Sequence, residues 1–344
     1  MAMMTAIGID THKSSLAACA IDELGTARAE ATFPNDPAGH RQLGAWATGI
    51  VPAARIGVEG SSVYGAAAAR FLLAAGHDVR EVPPHLSRHE RVRTRRAGKS
   101  DPGDALAIAR VTARETDLPP VRTADLSGEI QLLTEARDDV VGEATRTRNR
   151  IHADLVILVP GYEARAANLV AARHRKTAGR LLRGIRGVQA ELARDRLRRL
   201  EQLVAEAGRL ERRLVELVGD HPLVGLKGSG AVVAAKLIGE TGDVRRFRSA
   251  DAFAMLAGVA PIPASSGQTQ RLRLNRGGNR QLNRALHIIA LSQSLHHPPA
   301  RAFIARKRAE GRTWREALRS LKRHLARVVF RLLVAGAART EPAT

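Results

Sequence analysis

The chain has 344 residues, 44% of them hydrophobic, with 55 Lys and Arg against 34 Asp and Glu and a net charge of +21. That is enough for two domains, or three, with real cores, and the composition excludes a disordered or fibrous chain. The positive excess, mostly arginine, points to a polyanion and first of all to nucleic acid, because guanidinium groups bind phosphate bidentately.

In chain order, the first 115 residues or so alternate strand and helix signals. Ala6 to Ile21 reads as a β-hairpin. Its first apolar run, Ala6-Ile7-Gly8-Ile9, ends on Asp10, and a turn follows at Thr11-His12-Lys13. A carboxylate at a strand end is costly to bury unless a metal, a cation or water meets it. Taken alone, Asp10 fits an acidic turn residue equally well. The second apolar run holds Cys19, the one cysteine of the chain. No internal disulfide can form, and no Cys/His spacing suits zinc. Thr26 to Phe33 reads as a third strand and Gly39 to Ala47 as a helix. Ala54 to Glu59 is a fourth strand that also ends on an acid, just before Gly60. Tyr64 to Ala75 is an Ala-rich helix, and His77 to Val82 a fifth strand before Pro83-Pro84. Three meandering strands followed by helix-separated ones predict a mixed sheet with helices on its faces.

Residues 85–99 hold six basic side chains: Arg88, Arg91, Arg93, Arg95, Arg96 and Lys99. Ser100 is a helix N-cap, and Ala105 to Ala113 is good helix. Asp101 and Asp104, three apart, share a helix face and also suit the helix dipole. Ser127 to Leu158 is a long helix with an apolar seam at Leu133, Val140, Ala144, Ile151, Leu155 and Leu158. Residues 163–195 are helical and very basic. A second seam runs through Leu200, Leu203, Ala207, Leu210, Leu214 and Leu217. These segments predict a helical arm that positions domains or joins protomers.

Asp220-His221-Pro222 closes the arm. The run Leu223 to Gly230 before the apolar helix Ala231 to Ile238 resembles a helix-hairpin-helix, whose second helix start can hold a phosphate; a plain turn is the alternative. Ala260 to Gln268 is a loop that carries Ser265 and Ser266 ahead of Gly267, followed by Arg271, Arg273, Arg276 and Arg280. A serine faced by arginines suits a nucleophile with phosphate clamps, or a phosphate loop with no covalent role. His296-His297-Pro298-Pro299 reads as a loop, and Trp314 to about Ala335 as a basic amphipathic helix. No apolar run approaches the roughly 18 residues of a membrane span, and no signal-peptide pattern opens the chain. A cytoplasmic, nucleoid-associated bacterial protein with no membrane partner is expected.

Asp10, Glu59, Asp101 and Asp104 recur in one setting: two acids end strands and two start a helix. Adjacent strands lie about 4.8 Å apart, so strands one and four, if neighbours, bring the first pair together. Crowded carboxylates repel one another, and oxygen-liganded divalent cations relieve that repulsion while activating phosphoryl transfer.

The set GIDTHK, GVEGS and KSDPGDA resembles the DEDD, RuvC-like domain of a family of insertion-sequence transposases. The stretch GVAPIPASSGQTQRLRLNRGGNRQLNRAL is similar to the second, serine-bearing domain of the same family. The resemblance runs from about residue 5 to about 335 in family order. It implies an RNase H-type fold, Mg²⁺ (or Mn²⁺) held by Asp10, Glu59, Asp101 and Asp104, and Ser266 as nucleophile, with Ser265 beside it. It implies RNA-guided DNA recombination with a structured bridge RNA. It also implies assembly to a dimer or tetramer, the acids of one subunit meeting the serine of another. The segment after the serine lacks the lysine-rich wording of many members, which touches nucleic-acid contacts more than chemistry.

The fold expected is therefore α/β plus α. Residues 1–122 form a RuvC-like domain, 123–219 a coiled-coil arm, 220–338 a mainly helical transposase domain and 339–344 a tail. Rivals are a metal nuclease for branched DNA that needs no serine, a sugar-kinase-like ATPase, and a non-catalytic nucleic-acid scaffold. The second lacks a further glycine-rich phosphate loop, and the third leaves four acids as accidents.

Overall fold

The structure is a computed structural model that describes residues 4–50, 55–61, 63–93, 101–121, 126–263, 272–275 and 277–340. It divides into two compact units, Met1–Thr123 and Ala124–Thr344.

The first unit is built on a five-stranded sheet. Its elements are β1 (Met4–Thr11), β2 (Ser15–Asp22), β3 (Ala27–Pro34), α1 (Pro37–Ile50), β4 (Arg55–Val58), α2 (Ala66–Ala74), β5 (Asp78–Glu81), α3 (Pro84–Arg93) and α4 (Asp101–Arg114). The strand order is β3-β2-β1-β4-β5. β1–β2 and β2–β3 pair antiparallel, whereas β1–β4 and β4–β5 pair parallel. This is the mixed sheet that the strand spacing predicts. Alternation along β1 and β2 splits their side chains between two faces. Ile7, Ile9 and Leu16 pack with Leu43, Ile56, Val58 and Leu72 on one face. Ala6, Ala17, Cys19 and Ile21 pack with Ala105 and Ala109 on the other.

Small residues on that second face let α4 lie directly on the sheet. A Cβ on Gly8 would sit 2.2 Å from the Ala109 nitrogen and 2.3 Å from the Ala105 oxygen. A Cβ on Gly57 would sit 1.8 Å from Thr112 Oγ1. The basic run after β5 opens as a helix, α3, which the charge pattern alone does not reveal.

The second unit contains α5 (Leu126–Leu158), α6 (Glu163–Ala166), α7 (Ala172–Leu181), α8 (Val188–Val218), α9 (Ala231–Thr241), α10 (Ala250–Leu256), β6 (Ile262–Pro263), β7 (Leu272–Arg273), α11 (Arg280–His296), α12 (Pro298–Ala309) and α13 (Trp314–Thr340). α5 and α8 pair antiparallel within the chain. Ion pairs fix the register: Glu129–Arg213 at 2.6 Å, Arg137–Glu211 at 3.1 Å and Glu143–Arg199 at 3.0 Å. The Asp154–Arg196 pair continues the series. The seam leucines Leu200, Leu203 and Leu214 are buried by this pairing, which leaves Leu210 and Leu217 half-buried.

Residues 163–195, expected to be helical, hold α6, α7 and the start of α8, and the chain breaks between α7 and α8, where Gly184 and Gly187 take φ of +85° and +106°. Arg194 Nη1 donates to the carbonyl oxygens of Leu182 and Ile185, both at 3.0 Å, and so satisfies that break. The first element of the expected helix hairpin is only a single 3-10 turn, Pro222–Gly225. Two cores result. One gathers Ile151, Leu155, Tyr162, Leu169, Leu182 and Leu203 around α5–α8. The other gathers Leu223, Phe253, Leu282, Ile289, Leu321 and Val329 in the C-terminal helices. The segment expected as a loop around Pro261 has a short ladder at its stem, with Ile262 opposite Arg273. His296-Pro299, expected as a loop, instead joins two helices. Pro298 opens α12, where a missing N–H costs nothing. Among the described residues no helix is long and apolar enough to cross a membrane.

Candidate active site

The sheet order brings two of the acids side by side. β1 and β4 are parallel neighbours with Ile9 opposite Val58, so Asp10 and Glu59 follow one another across the ladder. Glu59 is held to β1 from both sides. Its amide donates to the Ile9 carbonyl at 3.1 Å, and Thr11 Oγ1 donates to its carbonyl at 2.8 Å. The chain then turns through Gly60 at φ +75°, which a residue with a Cβ rarely adopts.

α4 supplies the other two. Asp104 lies in its first turn beside Ala105, whose carbonyl rests against Gly8. The Asp104 side chain is buried, at 8% exposed, and that of Asp10 is 14% exposed. Asp101 is the first residue of α4, and its side chain lies outside the described residues.

Each described acid meets a partner. His12 Nε2 lies 3.3 Å from Asp10 Oδ2. Ser87 Oγ donates to Glu59 Oε2 at 2.6 Å, and Arg91 Nη1 lies 2.9 Å from Asp104 Oδ1. Ser87 and Arg91 stand four apart on α3 and so share a face. Sequence reasoning missed Ser87 altogether. Arg91, read from the sequence as a nucleic-acid contact, is turned onto Asp104.

Burial pushes the Asp10 carboxyl above the usual carboxylate range. His12 pulls it back, and the charges of Asp104 and Glu59 push it further up. The three described acids therefore sense one another. Among the described residues no group of three or more His, Cys, Asp or Glu is drawn tightly enough to hold a metal as it stands. The donor chemistry nonetheless fits a hard divalent cation: all donors are carboxylate oxygens, and their mutual repulsion is what such an ion relieves.

Of the other predicted residues, Arg88 is exposed on α3 and Arg93 is its last residue. Arg273 is exposed on β7, and Arg280 is exposed at the start of α11. Arg95, Arg96, Lys99, Ser265, Ser266, Arg271 and Arg276 lie outside the described residues. The stem of the serine-bearing segment is described and is tightly held. Asn275 Nδ2 donates to the Met255 carbonyl at 2.8 Å, and Asn283 Nδ2 donates to those of Ala257 and Gly258, both at 3.0 Å.

Comparison with known proteins fits this layout. A transposase profile of the IS110 DEDD type matches residues 7–160, the span that carries all four acids. A second profile, transposase of the IS116/IS110/IS902 family, matches residues 220–305, the span that carries Ser266. An uncharacterized 42 kDa protein of insertion element IS900 from Mycobacterium paratuberculosis is 28% identical over 315 residues, covering 76% of this chain and 78% of that protein. An uncharacterized 43.6 kDa protein of IS110 from Streptomyces coelicolor is 29% identical over 290 residues, covering 68% and 70%. An uncharacterized 44.8 kDa protein of IS116 from Streptomyces clavuligerus is 26% identical over 311 residues, covering 76% and 78%. With one family matched over residues 7–160 and again over 220–305, the chain belongs to the IS110/IS116/IS902 family of insertion-element transposases.

Proposed function

We propose that this transposase cuts and exchanges DNA strands at a metal centre held by Asp10, Glu59, Asp101 and Asp104. The observation that carries this reading is the convergence of Asp10, Glu59 and Asp104 from three elements, near enough for their charges to raise the Asp10 carboxyl. Bound Mg²⁺, or Mn²⁺ in its place, would polarise a scissile phosphate and offset charge on the departing oxygen. Glu59 and Asp10 would hold it from the sheet edge, and Asp104 and Asp101 from α4.

Ser266 is the proposed nucleophile. Its oxygen forms a bond to phosphorus as the deoxyribose oxygen leaves, and the hydroxyl proton passes to solvent. A hydroxyl of a second strand end then displaces the serine, so that no bond energy is lost to hydrolysis. Arg271, Arg273, Arg276 and Arg280 would neutralise the phosphate. The basic stretch Arg88, Arg93, Arg95, Arg96 and Lys99 would track nucleic-acid backbone. A structured RNA guiding target choice, and self-association to a dimer or tetramer, complete the reading.

The test is a recombination assay between plasmids carrying donor ends and target, with RNA sequenced from the purified protein. Asp10→Asn and Ser266→Ala should each abolish strand exchange and leave RNA recovery intact, with Ser265→Ala run beside them. A covalent protein–DNA species should form with the native chain and vanish with Ser266→Ala. Robust cleavage by Ser266→Ala with no covalent species would instead mark a hydrolytic nuclease. Absence of a discrete co-purifying RNA would remove the guide from the reading.

A further inference from the structure

The C-terminal helices carry a groove that none of the predicted site residues touch. It has a volume of about 540 Å³ and lies between α12 and the start of α13. Pro298, Ala302 and Ala305 give it an apolar floor, and Arg301 and Arg308 flank them. These five recur at three- and four-residue steps, so they form one stripe of α12. Trp314, the first residue of α13, closes one side and is 42% exposed.

Three features set the groove apart. The chain has only two tryptophans. Trp46 packs edge-on against Phe33, with ring centroids 5.8 Å apart, whereas no aromatic ring among the described residues covers Trp314. Arg301 and Arg308 are both exposed, and neither side chain has an ion-pair partner among the described residues. Arg306 and Lys307, on the same helix, do have one in Glu310. An exposed indole in one groove with two uncommitted guanidinium groups matches the chemistry that binds single-stranded nucleic acid: a flat face for a base and two cations for the flanking phosphates.

We propose that Trp314, Arg301 and Arg308 form a stacking site for an unpaired base of a nucleic-acid single strand. This deepens the reading above and rests on its nucleic-acid partner. It needs neither the metal centre nor Ser266.

Trp46→Phe leaves Trp314 as the sole tryptophan and lets its fluorescence report directly. An oligodeoxythymidine of about 12 nucleotides should quench that emission, and a blunt duplex of the same length should not. An oligouridine of equal length tells whether the site takes DNA, RNA or both. Trp314→Ala should weaken binding of the oligonucleotide about ten-fold, and Trp314→Phe should recover part of the loss. Arg301→Gln with Arg308→Gln should lower the slope of log affinity against log salt by about 1.4.

Oligonucleotide binding seen by gel shift without quenching would overturn the stacking site and leave the nucleic-acid reading intact. No binding by either method would overturn both. Conversion of an oligomer to monomer by Trp314→Ala, with oligonucleotide affinity unchanged, would make the groove a contact between copies and overturn the proposal.

Discussion

Arg91 and Asp104 face each other at 2.9 Å, a helix-borne cation set against an acid of the proposed metal centre. One turn earlier on α3, Ser87 holds Glu59. A divalent cation taken up here must share or displace the guanidinium. Arg91→Gln should therefore tighten Mn²⁺ binding about five-fold, the worth of a partly exposed ion pair. Calorimetric titration checks this, and an unchanged or weaker affinity would show that Arg91 does not compete.

Gly8 and Gly57 separate two kinds of close contact. A Cβ on Gly8 meets main-chain atoms of α4, which cannot turn aside, whereas on Gly57 it meets the Thr112 hydroxyl and a Val82 methyl. Gly8→Ala should cost about 3 kcal/mol and Gly57→Ala about 1–2 kcal/mol, the range for overpacking a closed core. Thermal melts of the two variants should keep that order. Equal melting points would mean that α4 shifts freely on the sheet.

Lys322 is buried, and its Nζ donates to Asn283 Oδ1 at 2.5 Å. Burial, helped by Arg319, pulls its pKa down from the ordinary 10.5 to about 8. Between those two values the unfolded chain holds the proton and the folded chain has shed it. Stability therefore rises with pH across that window, and the cost of the buried charge is present in full below it. Relative to Lys322→Met, the native chain should gain melting temperature from pH about 8 to about 10. A constant difference across that range would refute the assignment.

Lys236 on α9 is buried and pairs with Asp138 on α5, with Gln281 Oε1 at 3.2 Å as a further acceptor. Asp138→Ala strands the ammonium and should cost about 3 kcal/mol in denaturant titration. Adding Lys236→Met should return most of that loss, because removing both partners spares the buried charge. If the double variant is as unstable as the single, the pair acts through packing rather than charge.

Much of the sheet was legible because its signals are local. Short apolar runs ending in Asp10 and Glu59 mark strands, and Asn35-Asp36-Pro37 marks a helix start. The adjacency of β1 and β4 needed topology as well: two parallel strands joined through α1 also pass β2 and β3. α3 hid behind its own charge, since a helix whose polar face is mostly basic reads as a plain basic run. Ser87 carries no sequence signal at all, because its meaning comes from Glu59, 28 positions away. The break before α8 is written in Gly184 and Gly187, but the weak apolar pattern of residues 163–195 gives no helix boundaries there.

The α5–α8 pair has a mechanical consequence. Side by side, its helices run for about 45 Å. Ile130 and Leu214 at one end belong to the C-terminal core, whereas Ile151 and Leu203 belong to a core of their own. The pair is thus anchored at one end and internally braced at the other, as a lever is. A tilt of about ten degrees at the anchored end would carry the braced end about 8 Å, more than the spacing of neighbouring phosphates along a DNA strand. A small repacking around Lys236 and Asp138 that tilted the pair by that angle would be geared up into a displacement on the scale of one nucleotide.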